Sequence, residues 1–274
     1  MSSSEFRAEA RKFLTGKWGK AALLTLVYFI IIAVISFVLA FIPVIGRIAS
    51  YVISIPLGYG FLVSLIRLKR NEEVGYTDFF NFGFNNFGKV WSVFGNTLLK
   101  LIVPIILVVV SVVITVFGGL GITAGVAFKS DTAALGFSGI GVLGLICYFA
   151  SLIYLVVKGY YYSLVYYILY DNSEKSGKEI VEESERLMKG NRWNYFWLSL
   201  TFIGWAILAS FSFGIGYLWL MPYISITYVC FYEYLAGKKD SNNEAQVVNT
   251  PNVDAKQAEV VEEDVNPIST DENE

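Results

Sequence analysis

Residues Val93 to Phe117 read VFGNTLLKLIVPIILVVVSVVITVF, a run in which Lys100 is the one charged residue. As a helix it is about 37 Å long, more than the roughly 30 Å hydrocarbon core of a bilayer. A helix that is apolar around its whole circumference over such a length belongs in a large core or in lipid. Comparable runs flank it at about Ala21 to Ile42, Ile48 to Ile66, Gly139 to Val157, Tyr195 to Phe213 and Tyr217 to Leu235. Six spans are therefore expected. The first could be taken for a signal peptide, but it outruns the usual apolar region of about 7 to 15 residues, and no clear small-residue cleavage site follows.

Composition agrees. The 274 residues are 55% hydrophobic and 16% charged, against roughly 25% charged in soluble domains. The net charge of -2 is unevenly spread: residues 238–274 hold ten acids and three bases, leaving 18 bases and 13 acids in the body. There is no histidine, so the commonest general base and metal ligand is missing. Cys147 and Cys230 both lie in apolar runs and form no CxxC site.

Basic residues orient the spans, because they are retained on the cytoplasmic side of short loops. Arg7, Arg11, Lys12, Lys17 and Lys20 precede the first span. Arg67, Lys69, Arg70 and Lys89 separate the second from the third, and Lys175, Lys178, Arg186, Lys189 and Arg192 separate the fourth from the fifth. The alternate loops carry only Arg47 and Lys129. The expected topology has both termini in the cytoplasm.

The basic connections also repeat a pattern. Phe6, Ala10, Phe13 and Leu14 recur at helical spacing before Gly16-Lys17-Trp18-Gly19. Phe79, Phe80, Phe84 and Phe87 precede Gly88-Lys89-Val90-Trp91, and Ile180, Val181, Ser184, Leu187 and Met188 precede Gly190-Asn191-Arg192-Trp193. Each unit reads as an amphipathic helix, a glycine turn and a hydrophobic hairpin, with Trp18, Trp91 and Trp193 as interfacial anchors beside a snorkelling cation. Three membrane boundaries that independently selected the same anchors would look alike. The expected fold is all-α: a six-helix membrane bundle of three hairpins with cytoplasmic amphipathic helices. Residues 1–20 form an amphipathic segment, 21–237 the membrane domain, and 238–274 an acidic tail without helical periodicity, expected to be disordered.

The stretch Leu187-Met188-Lys189-Gly190-Asn191-Arg192-Trp193, with Phe202-Ile203-Gly204-Trp205, Gly214-Ile215-Gly216, Leu218-Trp219, Pro222-Tyr223 and Phe231-Tyr232-Glu233, resembles the bacterial membrane proteins grouped as domain of unknown function 975. Ala10-Arg11 to Lys17-Trp18-Gly19 is similar to that family's opening, and the likeness covers about residues 5 to 237. It implies a setting in the bacterial plasma membrane but no catalytic residues, since the family has no established activity. A more distant likeness, to membrane domains attached to some glycerophosphodiester phosphodiesterases, implies lipid surroundings without hydrolase chemistry.

Few residues suggest chemistry. Lys100 lies about 10 Å into the third span, with Pro104 four residues on. It is read either as a cation lining a polar cavity, with Glu233 or Asp171 as partner, or as a snorkelling lysine. Tyr154, Tyr162, Tyr166 and Tyr170 recur at four- or eight-residue steps with Lys158. That stripe could receive a lipid headgroup, or form an ordinary aromatic belt. Lys100, Lys158, Tyr162, Tyr166 and Glu233 are the candidate polar or lipid-contact positions. The glycine-rich stretch from Gly118 to Gly141 lacks the GK[ST] ending of a phosphate loop and is expected to be an outward-facing loop, with Gly141, at the entry of the fourth span, suiting helix packing. Glu179, Glu182 and Glu183 read as a solvated helix face, so no metal or cofactor is implied. The serines lack a histidine base, and the basic residues flank spans instead of forming a nucleic-acid surface. The expectation is a non-enzymatic protein that meets membrane lipids, or other membrane proteins through its tail or helix faces, in envelope homeostasis; the alternative is a small transporter or channel for a lipid, peptide or small solute.

Overall fold

The computed structural model describes residues 1–237, apart from the side chains of 133 and 134; the acidic tail lies outside them. Met1–Tyr232 form one compact unit, and Glu233–Glu274 are assigned to a second. Ten helices run through the described residues: α1 (Ser3–Leu14), α2 (Trp18–Ala40), α3 (Ile45–Lys69), α4 (Asp78–Asn85), α5 (Phe87–Ala127), α6 (Asp131–Tyr160), α7 (Val165–Asp171), α8 (Gly177–Met188), α9 (Arg192–Phe211) and α10 (Tyr217–Leu235). The described residues contain no strand.

Five segments are long and apolar enough to cross a membrane: α2, α3, α5, Leu135–Asp171 through α6 and α7, and α9. The expected sixth, α10, is 19 residues long. Five tyrosines, Pro222 and Glu233 dilute its hydropathy, so length and composition alone do not place it with the others.

The short helices start where their sequences supply donors' partners. Ser2 with Glu5 and Ser176 with Glu179 form capping boxes at α1 and α8, each serine accepting from the backbone N–H three residues on. Gly16 and Gly190 end these units in the left-handed region, at φ +80° and +88°, which glycine adopts without a Cβ clash. The second unit departs from this pattern: α5 begins at Phe87, so Gly88 is already helical.

Burial is concentrated where the short helices pack. In α2 only Ala21, Leu24 and Thr25 are buried, all in its first two turns. In α3 the buried positions run from Pro56 to Leu68, with Gly46 the one exception. Helix α4 lies against this half of α3 because Gly60 and Gly83 let the backbones approach: a Cβ on either would collide with a carbonyl, that of Phe79 or Pro56. Tyr28 of α2 seals the contact, stacked on Phe61 at 4.5 Å and edge-on to Phe79 at 5.7 Å. Helix α1 reaches α10, with Phe6 edge-on to Phe231 at 5.3 Å and Arg11 Nη1 donating to the Tyr223 hydroxyl at 2.8 Å. Helix α8 rests on α5 and α7.

Away from this core the spans present apolar surface. The span windows are 11 to 17% buried in four cases and 44% in α3, which makes α3 the central helix. Helices α5 and α6 fill with helix most of the interval between the expected third and fourth spans, Phe117 to Gly139. Helix α5 continues to Ala127, about 60 Å, and α6 starts four residues later. Gly118 meets the backbone of Gly141, Gly144 that of Thr115, and the Ser111 and Ser151 hydroxyls are 3.3 Å apart. Small residues thus bring the two helices into backbone contact, as in membrane helix pairs.

Candidate functional site

The tyrosine stripe is not continuous, because the helix that would carry it breaks. Residues Tyr161–Leu164 form a turn between α6 and α7, held by bonds from Tyr161 N–H to Lys158 O at 3.2 Å and from Tyr162 N–H to Gly159 O at 3.0 Å. Three-residue closure of this kind tightens the turn and frees carbonyls of the regular ladder. Ser184 of α8 donates its hydroxyl to Tyr161 O at 2.8 Å, so α8 satisfies the break.

The break sorts the predicted positions into two environments. Tyr162 is buried, Tyr166 packs on Tyr59 of α3 at 5.9 Å, and Tyr167 packs on Tyr232 at 5.6 Å. These rings belong to the core. Before the break, Lys158 lies over the rings of Tyr154 and Tyr161, at 6.0 and 5.7 Å from their centroids. Arg192, in the first turn of α9, lies over the same Tyr161 ring at 4.4 Å. Sequence spacing had passed over Arg192 as a site residue; its place beside Trp193 in the repeated turn was the available signal.

Arg192 stands at one end of a cleft of about 470 Å³ between α6 and α9, and Lys158 lies outside its lining. Leu152, Ile153, Val156 and Val157 form one wall, and Trp193 and Phe196 the other. Tyr160 closes the end, edge-on to Tyr195 at 5.4 Å and Phe196 at 6.3 Å. Among the described residues neither Lys158 nor Arg192 has a carboxylate within ion-pair distance.

Lys100 is elsewhere. Its Nζ is 3.8 Å from Glu185 Oε2 on α8, both side chains being substantially exposed. Asp171, one of its expected partners, is instead held by Arg70 through bonds of 2.8 and 3.2 Å. Glu233 sits in the last turn of α10, in the second unit. The three tryptophans differ: Trp193 is 71% exposed, Trp18 is half-buried and 6.2 Å from Tyr223, and Trp91 is half-buried against Phe94 with its indole N–H unpaired among the described residues. On α8, the Arg186 guanidinium bonded to Glu183 holds that carboxyl below its usual range, and the capping bonds from Ser176 do the same for Glu179. No group of three metal-ligating side chains occurs among the described residues.

The described residues, helical and without a strand, carry five such apolar segments and are compatible with the class of multi-pass membrane proteins. More particularly, the chain belongs to the family described as "Protein of unknown function (DUF975)", which matches residues 1–239. Neither the curated proteins nor the solved structures contain a match.

Proposed function

We propose that this chain is a bacterial plasma-membrane protein of six spans arranged as three hairpins, with both termini in the cytoplasm. In this reading it acts without catalysis, meeting membrane lipids or other membrane proteins in envelope homeostasis. The observation that carries it is the division of surfaces: buried side chains gather where α1, α4, α7 and α8 pack, while the far parts of α2, α5 and α6 are exposed and apolar. Lipid covers such a surface without cost, whereas water does not. The basic residues cluster on those same short helices and their flanks, as the orientation requires. Helix α10 is the sixth span, its tyrosines serving the interface and the core.

Topology labelling tests this reading. In a C147S/C230S background, single cysteines at Thr77 and Ala236 are expected to react with a membrane-impermeant maleimide only after permeabilisation, and cysteines at Ser130 and Ser212 in intact cells. Reaction of the Ala236→Cys variant in intact cells would mean that α10 does not cross.

A transporter is the second reading, supported by the broken helix at Tyr161–Leu164, since discontinuous helices line substrate sites in many transporters. Native mass spectrometry in mild detergent separates the two: a retained protein or lipid favours the first, and a retained soluble solute the second.

A further inference from the structure

We propose that the cleft between α6 and α9 is a binding site for an anionic glycerophospholipid of the membrane, a deepening that rests on the membrane reading above. Its walls are aliphatic and aromatic, and from Leu152 to Tyr160 the cleft follows nine residues of α6, about 12 Å. That length takes about ten methylene groups of an acyl chain. Arg192 lines the end where the chain's glycerol ester would emerge; Lys158, outside the lining, lies over the same Tyr161 ring, and no carboxylate of the described residues neutralises either. A planar guanidinium held on an aromatic face keeps its outer N–H groups free to donate to phosphate oxygens, and the ammonium that shares this ring adds a second positive charge beside the cleft end. Trp193, next in sequence and 71% exposed, suits the same headgroup depth. Charge complementarity therefore selects an anionic lipid over a zwitterionic one, whose own amine would be repelled by the pair.

The test uses the purified full chain in mild detergent, exposed to an equimolar mixture of phosphatidylglycerol and phosphatidylcholine with identical acyl chains and read by native mass spectrometry. Phosphatidylglycerol is expected to be retained with about ten-fold preference. The K158Q/R192Q variant should bring the ratio near parity, and K175Q/K178Q, which removes equal charge elsewhere, should preserve it. V156W fills the cleft with both cations in place and should lower phosphatidylglycerol occupancy at least three-fold, a readout independent of the charge variants. Millimolar glycerol 3-phosphate, which has the phosphate without the chain, should not compete. Absence of preference in the wild type, its persistence in K158Q/R192Q, equal loss in K175Q/K178Q, unchanged occupancy in V156W or displacement by glycerol 3-phosphate would each overturn the proposal. Extraction of the chain from membranes by alkaline carbonate would defeat the membrane reading itself; a carbonate-resistant chain without lipid preference defeats this inference alone.

Discussion

Arg70 grips Asp171 with two nitrogens, Nη1 to Oδ1 at 2.8 Å and Nη2 to Oδ2 at 3.2 Å, and so ties the end of α3 to the end of α7. The Asp171 side chain is 5% exposed and that of Arg70 29%, which places the pair between a surface bridge and a buried one. Removing one partner of a buried pair strands the other charge and costs about 3 to 5 kcal/mol; the exposure of Arg70 reduces this to about 2. Asp171→Asn should therefore lower the melting temperature in detergent by about 4 to 8 °C, and Arg70→Lys, which keeps the charge but loses the fork, by less.

The Lys100–Glu185 pair should behave differently. At 3.8 Å with both side chains substantially exposed, it resembles pairs worth about 0 to 1 kcal/mol. Lys100→Met should shift the melting temperature by no more than about 4 °C, and a double-mutant cycle with Glu185→Gln should show coupling below about 1 kcal/mol. A larger coupling would restore the buried-cation reading of Lys100.

Two glycines separate close packing from simple helix propensity. Gly60→Ala drives a methyl into the Phe79 carbonyl and should part α4 from α3, with loss of monodisperse protein by fluorescence-detected gel filtration. Gly95→Ala meets nothing within 4 Å and should be neutral or stabilising by up to about 1 kcal/mol.

Acid should loosen α8 first. The carboxyl of Glu183 lies below its ordinary 4.5 because the Arg186 guanidinium stabilises the charged form. A group lowered in the folded state contributes fully above its unfolded value and loses that contribution as pH falls through the folded one. Hydrogen-exchange protection of residues 177–188, corrected for intrinsic rates, should be level from about pH 6 to 8 and fall below about pH 4. Glu183→Gln should flatten part of that fall.

Apolar run length and capping signals are local properties, and for that reason they were legible. The runs at Ala21, Ile48, Val93 and Tyr195 reappear as helices α2, α3, α5 and α9, because a chain in lipid must satisfy its backbone within each segment. The S-x-x-E boxes at Ser2 and Ser176 likewise mark helix starts. Gly141 reads as a packing residue from sequence, whereas Gly118, outside the expected third span, turns out to be its backbone partner, since glycine signals a turn and a close helix contact equally well.

Sequence by itself determined the helical class, the family and the positions of most elements. Tertiary structure alone decided which residues meet: Asp171 with Arg70, Lys100 with Glu185, Arg192 and Lys158 with one tyrosine. The physical reason is the break at Tyr161–Leu164. A periodic reading assumes that the helix continues, whereas Ser184, 23 residues further on, supplies the bond that lets it stop. The turn moves Tyr162, Tyr166 and Tyr167 into the core and leaves Lys158 over the Tyr161 ring, a partition that depends on packing between distant segments and so has no signature in spacing.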